Sequence, residues 1–243
     1  MARCRVASAN SNNNGVVSIV SIVSNSIQRA EARESGRMEA FSDGVFAFAM
    51  TLLVLGLRDP TIDSAGSSIQ GLSLLQGLLG EWPAFLAFGI SFTTILVNWM
   101  NHHNLFTYVR RIDGPFMLLN GLLLLATTLI PFTTSLVADH ILLPDSGTAA
   151  EVYSGTFLLV ALAWNLLWQY AIRHPGILAS SVSDAEIRKT TLQFLFGPIL
   201  YVVAFIAAFF NGIASLAINL VVLAMFAFFA AITRIEGRSV ESV

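Results

Sequence analysis

Apolar and polar positions alternate along this chain in long blocks rather than in short periods. From residue 39 onward, six apolar stretches are separated by brief polar segments, at about 39–57, 81–105, 114–138, 153–172, 191–210 and 212–232. At roughly 20 residues each, they match the length a helix needs to cross bilayer hydrocarbon. The pattern predicts an all-α membrane protein with six transmembrane helices per chain. The last two spans are nearly continuous, so Asn211–Gly212 is expected to make a tight turn between them. A shorter stretch at 69–79, IQGLSLLQGLL, reads as an amphipathic helix lying on the outer surface.

The first 36 residues follow a different pattern. ASANSNNNG is polar and of low complexity, which predicts disorder. VVSIVSIV, residues 16–23, is too short to span a bilayer, and Arg29, Glu31, Arg33 and Glu34 follow it. The chain therefore divides into a cytoplasmic tail at 1–36, a six-helix domain at 37–235 and a short cytoplasmic tail at 236–243.

Composition agrees with the blocks. Of the 243 residues, 55% are hydrophobic and 12% charged, about half the charged share of a soluble domain. A net charge of −2 gives no basis for nucleic-acid binding. Cys4 is the only cysteine, which excludes an intrachain disulfide and a cysteine-rich metal site. Charge position says more than charge number. Arg3, Arg5, Arg29, Arg33 and Arg37 precede the first span. Arg110 and Arg111 lie between the second and third, Arg173, Arg188 and Lys189 between the fourth and fifth, and Arg234 and Arg238 after the sixth. All of these fall on one side, and only Arg58 falls on the other, so both termini are predicted to be cytoplasmic. Asp59, Asp63, Asp139, Asp145 and Glu151 sit in the opposite loops. Trp82, Tyr108, Tyr153 and Tyr170 stand where interfacial anchors belong.

The first span poses the chemical problem. RMEAFSDG, residues 37–44, sets a carboxylate directly against an apolar run, which is costly unless partners or water satisfy it. At about 100° per residue, Phe48, Leu52 and Leu55 form one stripe within roughly 60°, with Thr51 beside it, while Asp43 points about 140° away from Phe48. The stripe either faces lipid and other helices or lines a pore as rings of bulky side chains, which gate by dewetting; periodicity does not separate the two. Asp43 is either a structural carboxylate or part of an ion or proton path. Partners for it stand at the same depth. Trp99 and His102 are three apart on the second span, with His103 beside them, and Asn120 lies on the third. Arg37, Ser42, Asp43, Trp99, His102 and Asn120 are expected to form one polar knot among spans one to three.

Other chemistries find little footing. His102 and His103 with one distant aspartate do not make a metal site of three or four ligands. No HExxH, phosphate-binding glycine loop, GxSxG or carbonyl-filter motif is present. The absence of a nucleophile–base constellation argues against an enzyme. A proton-coupled transporter using Asp43 and His102 is the alternative, with Gly197–Pro198 as a possible helix break.

Residues 37–44 fit the pattern RxxxFSDG, comprising Arg37, Phe41, Ser42, Asp43 and Gly44. VFAFAMTLLVL follows, with WxxHHxxF at 99–106, Asn120, and PFTTSL at 131–136. These motifs resemble the signature of the transmembrane protein 175 family of potassium channels, and the likeness extends over about residues 37–235. The resemblance implies a single-repeat prokaryotic form that assembles as a homotetramer in the cell membrane. It implies passive, modestly selective conduction of K+ over sodium, without a cofactor and without a P-loop filter. It places the first helix of each subunit along a central pore, with a hydrophobic constriction at Phe48, Leu52 and Leu55 and a selectivity-linked threonine at Thr51. Position 48 is typically aliphatic in the family and is phenylalanine here. The FSDG network is implied to fix the first helix against the second and third.

Overall fold

The structure is a computed structural model that describes the backbone of residues 3–60 and 73–241, with side chains described for 22–60 (except 24 and 27) and 73–228. Asp63 and the first part of the expected outer helix lie outside the described residues. All regular elements among the described residues are helical. Helix α1 runs Arg3–Leu52 and tightens into a 3₁₀ turn at Leu53–Gly56. The segment read as a disordered tail is thus helical from Arg3, and the boundary at residue 36 is not a helix end. No proline occurs before Pro60, so nothing interrupts the helical hydrogen-bond ladder.

Helix α2, Leu74–Gly80, is the described part of the outer amphipathic stretch. Ser73 caps it in a reciprocal box with Gln76. Helix α3 spans Trp82–Tyr108. The third apolar stretch, expected as one helix, is two: α4, Gly114–Thr128, and α5, Ile130–His140. The break at Leu129 precedes Pro131, which lacks an N–H and whose ring crowds the carbonyl a turn earlier. Helix α6 covers Ser146–Arg173 and α7 covers Asp184–Ala208. Pro198 lies inside α7 without ending it. Helix α8, Gly212–Glu241, follows the expected turn. Asn211 accepts from the Ala214 N–H at 3.0 Å, and a Cβ at Gly212 would come within 2.9 Å of the Ser146 carbonyl. Only glycine fits this close α6–α8 approach.

Among the described residues, five helical segments are long and apolar enough to cross a membrane: Gln28–Gly56, Trp82–Tyr108, Gly114–His140, Ser146–Arg173 and Asp184–Ala208. The described part of the sixth is the shorter apolar helix Gly212–Phe228. Helix α6 is the hub, packed against α4, α5, α7 and α8. Its Trp164, Leu167 and Trp168 are almost fully buried, as are Phe116 and Leu123 of α4. Helix α1 leans on α3, α4 and α5 along one face, through Phe46 and Ala49, and Leu53 of the 3₁₀ turn continues that buried face.

The connections sort by end. Beyond α3, the Arg110 N–H donates to the Ile177 carbonyl at 2.8 Å, and the Ala179 N–H donates to Tyr108 at 2.9 Å. The α3–α4 and α6–α7 loops are thereby joined. Glu31 of α1 pairs with Arg110 at 3.3 Å, and Ser35 reaches the Val109 carbonyl at 3.5 Å. Asp113 accepts from the Phe116 N–H (2.9 Å), capping α4, and from the Tyr170 hydroxyl (2.7 Å). Burial raises the Asp113 carboxyl, but those two hydrogen bonds, with the charges of His174 and Arg111, outweigh it and hold its pKa below the ordinary value. At the opposite end, Arg58 lies 3.5 Å from Asp139. The basic loops therefore gather at one end of the bundle and Arg58 stands at the other.

Candidate functional site

Adjacent residues of a helix point about 100° apart, and this divides the FSDG stretch among three environments. Ser42 is fully buried, Asp43 is half-buried, and Phe41 is 67% exposed. The Ser42 hydroxyl donates to the Met38 carbonyl at 2.9 Å, leaving its lone pairs to accept the Asn120 amide N–H at 3.0 Å. With its nitrogen committed, Asn120 offers Oδ1 to His102 Nε2 at 2.9 Å. His102 therefore carries its proton on Nε2. Its ring is buried against Phe46 and Phe106. This line ties α1, α3 and α4 together.

Asp43 takes a separate path: its Oδ1 accepts the Trp99 indole N–H at 2.9 Å. The single knot expected from sequence is thus two lines, Ser42–Asn120–His102 and Asp43–Trp99. Asp43 and His102, the pair of the transporter alternative, do not bond each other and belong to separate lines. Arg37 joins neither line. It is exposed and borders a groove with Phe41, Met117 and Gly121. Glu39 meets His103 at 2.8 Å, an exposed pair the sequence reading did not name. His102 and His103 engage different partners, and no cluster of three or more metal-type ligands occurs among the described residues.

The outward face of α1 has no cover among the described residues. Phe48 is 62% exposed and Leu55 72%, Thr51 is exposed, and Leu52 is turned partly inward. The Thr51 hydroxyl donates to the Phe48 carbonyl at 2.7 Å, so its oxygen lone pairs are directed off the helix. A Cβ built at Gly44 would meet nothing within 4 Å. Val54 also lies on this face, 51% exposed. A 100° wheel misses it because the 3₁₀ turn advances about 120° per residue and sets Val54 below Thr51. Gly56 closes the turn against α5, where a Cβ would come within 2.7 Å of Ser135 Oγ.

Further polar bonds hold the rest of the bundle. Ser91 contacts the Tyr153 hydroxyl at 3.2 Å and accepts from Thr134 at 2.7 Å. Asn98 accepts from the Trp164 indole N–H at 2.7 Å. Asn98 shares a face with His102 four residues on, and that spacing was the legible signal for it.

A helical bundle of apolar spans, pinned by buried polar bonds and leaving one face of its first helix without a partner, defines a multi-pass membrane protein. Comparison with known proteins narrows the class. The family model described as endosomal/lysosomal potassium channel TMEM175 matches residues 37–131. A potassium channel of Chamaesiphon minutus is 42% identical over 201 residues, covering 83% of this chain and 97% of that protein. A potassium channel of Streptomyces collinus is 38% identical, covering 76% and 87%. The crystal structure of a lysosomal potassium-selective channel TMEM175 homolog from Chamaesiphon minutus superposes with a TM-score of 0.72 at 41% identity, covering 82% of this chain and 98% of that one. The chain belongs to the TMEM175 family, a family of ion channels rather than enzymes.

Proposed function

We propose that four copies of this chain assemble around one axis in the cell membrane as a cation channel selective, modestly, for K+ over sodium. Each chain crosses six times with both ends in the cytoplasm. The orientation reading is supported by the basic loops meeting at one end of the bundle. The relatives named as potassium channels support the ion. The observation that carries the reading is the outward face of α1. Of the five candidate spans, the one that contains α1 is the least buried, at 22%; it leaves Phe48, Thr51 and Leu55 uncovered, and four such faces around an axis form stacked apolar rings.

In this channel Phe48, Leu52 and Leu55 make the constriction. A narrow apolar ring holds no continuous water, so an ion must shed its hydration to pass, and a small widening restores the water column. Thr51 supplies ring oxygens between the apolar layers, because its proton is already committed to the Phe48 carbonyl. The Ser42–Asn120–His102 and Asp43–Trp99 lines hold the other face of α1 still, which fixes the ring radius. No cofactor takes part. The four Phe48 rings make the first layer bulkier than an aliphatic one.

The test is flux in proteoliposomes under potassium and then sodium gradients, with Leu52→Ala beside the native chain. Passive potassium flux above sodium flux, raised by the variant, is expected. Equal flux in both proteins sinks the constriction. Flux that saturates and follows an imposed proton gradient replaces the channel with a coupled transporter.

A further inference from the structure

Pro198 supplies no N–H to α7, which leaves the carbonyl one turn back without its helical donor. That carbonyl, on Phe194, is not stranded, because the Asn165 amide of α6 donates to it at 3.1 Å. Beside this break lies a cavity of about 40 Å³. Two turns of α7, from Phe194 to Tyr201, and two turns of α3, from Thr94 to Asn101, form its walls, and α6 and α8 complete them. Phe226 of α8 closes one side, near enough that a Cβ at Gly197 would meet its ring at 3.3 Å. Most of the lining is apolar, yet it includes polar groups that the fold leaves without partners. Buried tyrosines and tryptophans ordinarily bond their O–H or N–H. Tyr153 does so with Ser91, Trp164 with Asn98 and Trp168 with Thr191. Tyr201 is also buried, at 8% exposure, with its ring stacked on Phe157, but its hydroxyl has no hydrogen-bond partner among the described residues. The half-buried Asn101 amide has none there either. Asn98 commits its oxygen to Trp164 and one amide hydrogen to the Thr94 carbonyl, so its second hydrogen is left over.

We infer that this cavity is a hydration site inside the protomer, in which one water molecule is held between α3 and α7 by the Tyr201 hydroxyl and the side-chain amides of Asn101 and Asn98. Volume selects the occupant. A water claims about 30 Å³ of liquid, whereas a cavity that takes benzene measures about 150 Å³, so a ring or an acyl chain does not fit. The chemistry agrees. A buried water makes about three hydrogen bonds, and three groups offer them here. An apolar occupant of the same size would leave the Tyr201 hydroxyl stranded, which burial makes costly. The site lies within one protomer and needs no second copy.

The test is X-ray radiolytic labelling of the full-length protein in proteoliposomes, read residue by residue by mass spectrometry. Radicals born from a bound water oxidise the side chains that touch it. Tyr153 is the internal control, being the same residue type, 4% exposed, bonded to Ser91 and outside the cavity. Tyr201 is expected to be oxidised several-fold faster than Tyr153. Asn101→Leu removes one ligand of the water and is expected to bring the Tyr201 rate down towards that of Tyr153. A Tyr201 rate no higher than that of Tyr153 in the native protein overturns the inference without any variant. A fast rate that persists in Asn101→Leu, with a melting temperature that shows the variant folded, also overturns it, because the radicals then come from bulk water rather than from one held in place.

Discussion

Over its most apolar stretch, α6 has 50% of its residues buried inside the protomer, whereas α1 has 22%. Both helices are long and both are apolar enough to span. Helix α6 is wrapped by four others and packs its aromatic residues on α7, Trp164 and Trp168 against Phe194 and Phe157 against Tyr201, with Trp168 at 0% exposure and Trp164 at 4%. Helix α1 is gripped on one face, by Phe46, Ala49, Ser42 and the bonds to Asn120 and Trp99, and is bare on the other. A helix buried all round serves the fold of its own chain. A helix pinned on one side and bare on the other has its remaining face available for something outside the chain. Hydropathy alone does not distinguish the two.

The comparison breaks if substitutions in the two helices behave alike. Trp168→Ala should cost the most, about 3–5 kcal/mol on the scale of large-to-small core changes, read as a loss of folded protein in a thermal denaturation series. Asn120→Leu should come next. It leaves Ser42 and His102 without their shared partner, at about 1–3 kcal/mol for stranded buried polar groups, and it should loosen α1 specifically, seen as faster hydrogen exchange in residues 37–52. Asp113→Ala removes the α4 cap and the Tyr170 bond, a loss of about 1 kcal/mol. Its pH dependence has a definite sign. The folded-state carboxyl titrates below its ordinary value, so the stabilisation is complete above the ordinary carboxylate range and is lost as pH falls through the lowered value. Melting curves of native protein and Asp113→Ala should therefore converge only under strongly acid conditions.

The smallest effect on stability should come from Leu55→Ala, since that side chain is 72% exposed in the protomer. The melting temperature should scarcely move while passive flux rises. A Leu55→Ala protein that loses stability as Trp168→Ala does would show that the outward face of α1 is a structural surface, and the contrast with α6 would collapse.

The long apolar blocks, their flanking charges and the RxxxFSDG spacing were readable because each is a local property of the chain. Helix length, the positive side and the depth of Asp43 relative to Trp99 and Asn120 depend only on counting residues along a regular helix. The outward positions of Phe48 and Leu55 follow from the same count, while Leu52, on the same expected stripe, is turned partly inward. Val54 was missed because a change from 100° to 120° per residue leaves no mark in composition. The continuity of α1 back to Arg3 was hidden by a polar, asparagine-rich composition that reads as disorder.

By itself, then, the sequence determined a membrane protein of long apolar helices, a family signature, and the set of polar residues that must find partners. Only the tertiary structure decided how those partners pair: Asp43 with Trp99, Ser42 and His102 through Asn120, and Arg37 with neither line. The reason is directional. A hydrogen bond needs a donor and an acceptor aligned within about 3 Å, and neighbouring residues on one helix face different neighbours. Which acceptor each donor meets is set by how α1, α3 and α4 rotate against one another as their apolar faces pack, a quantity that no single helix carries.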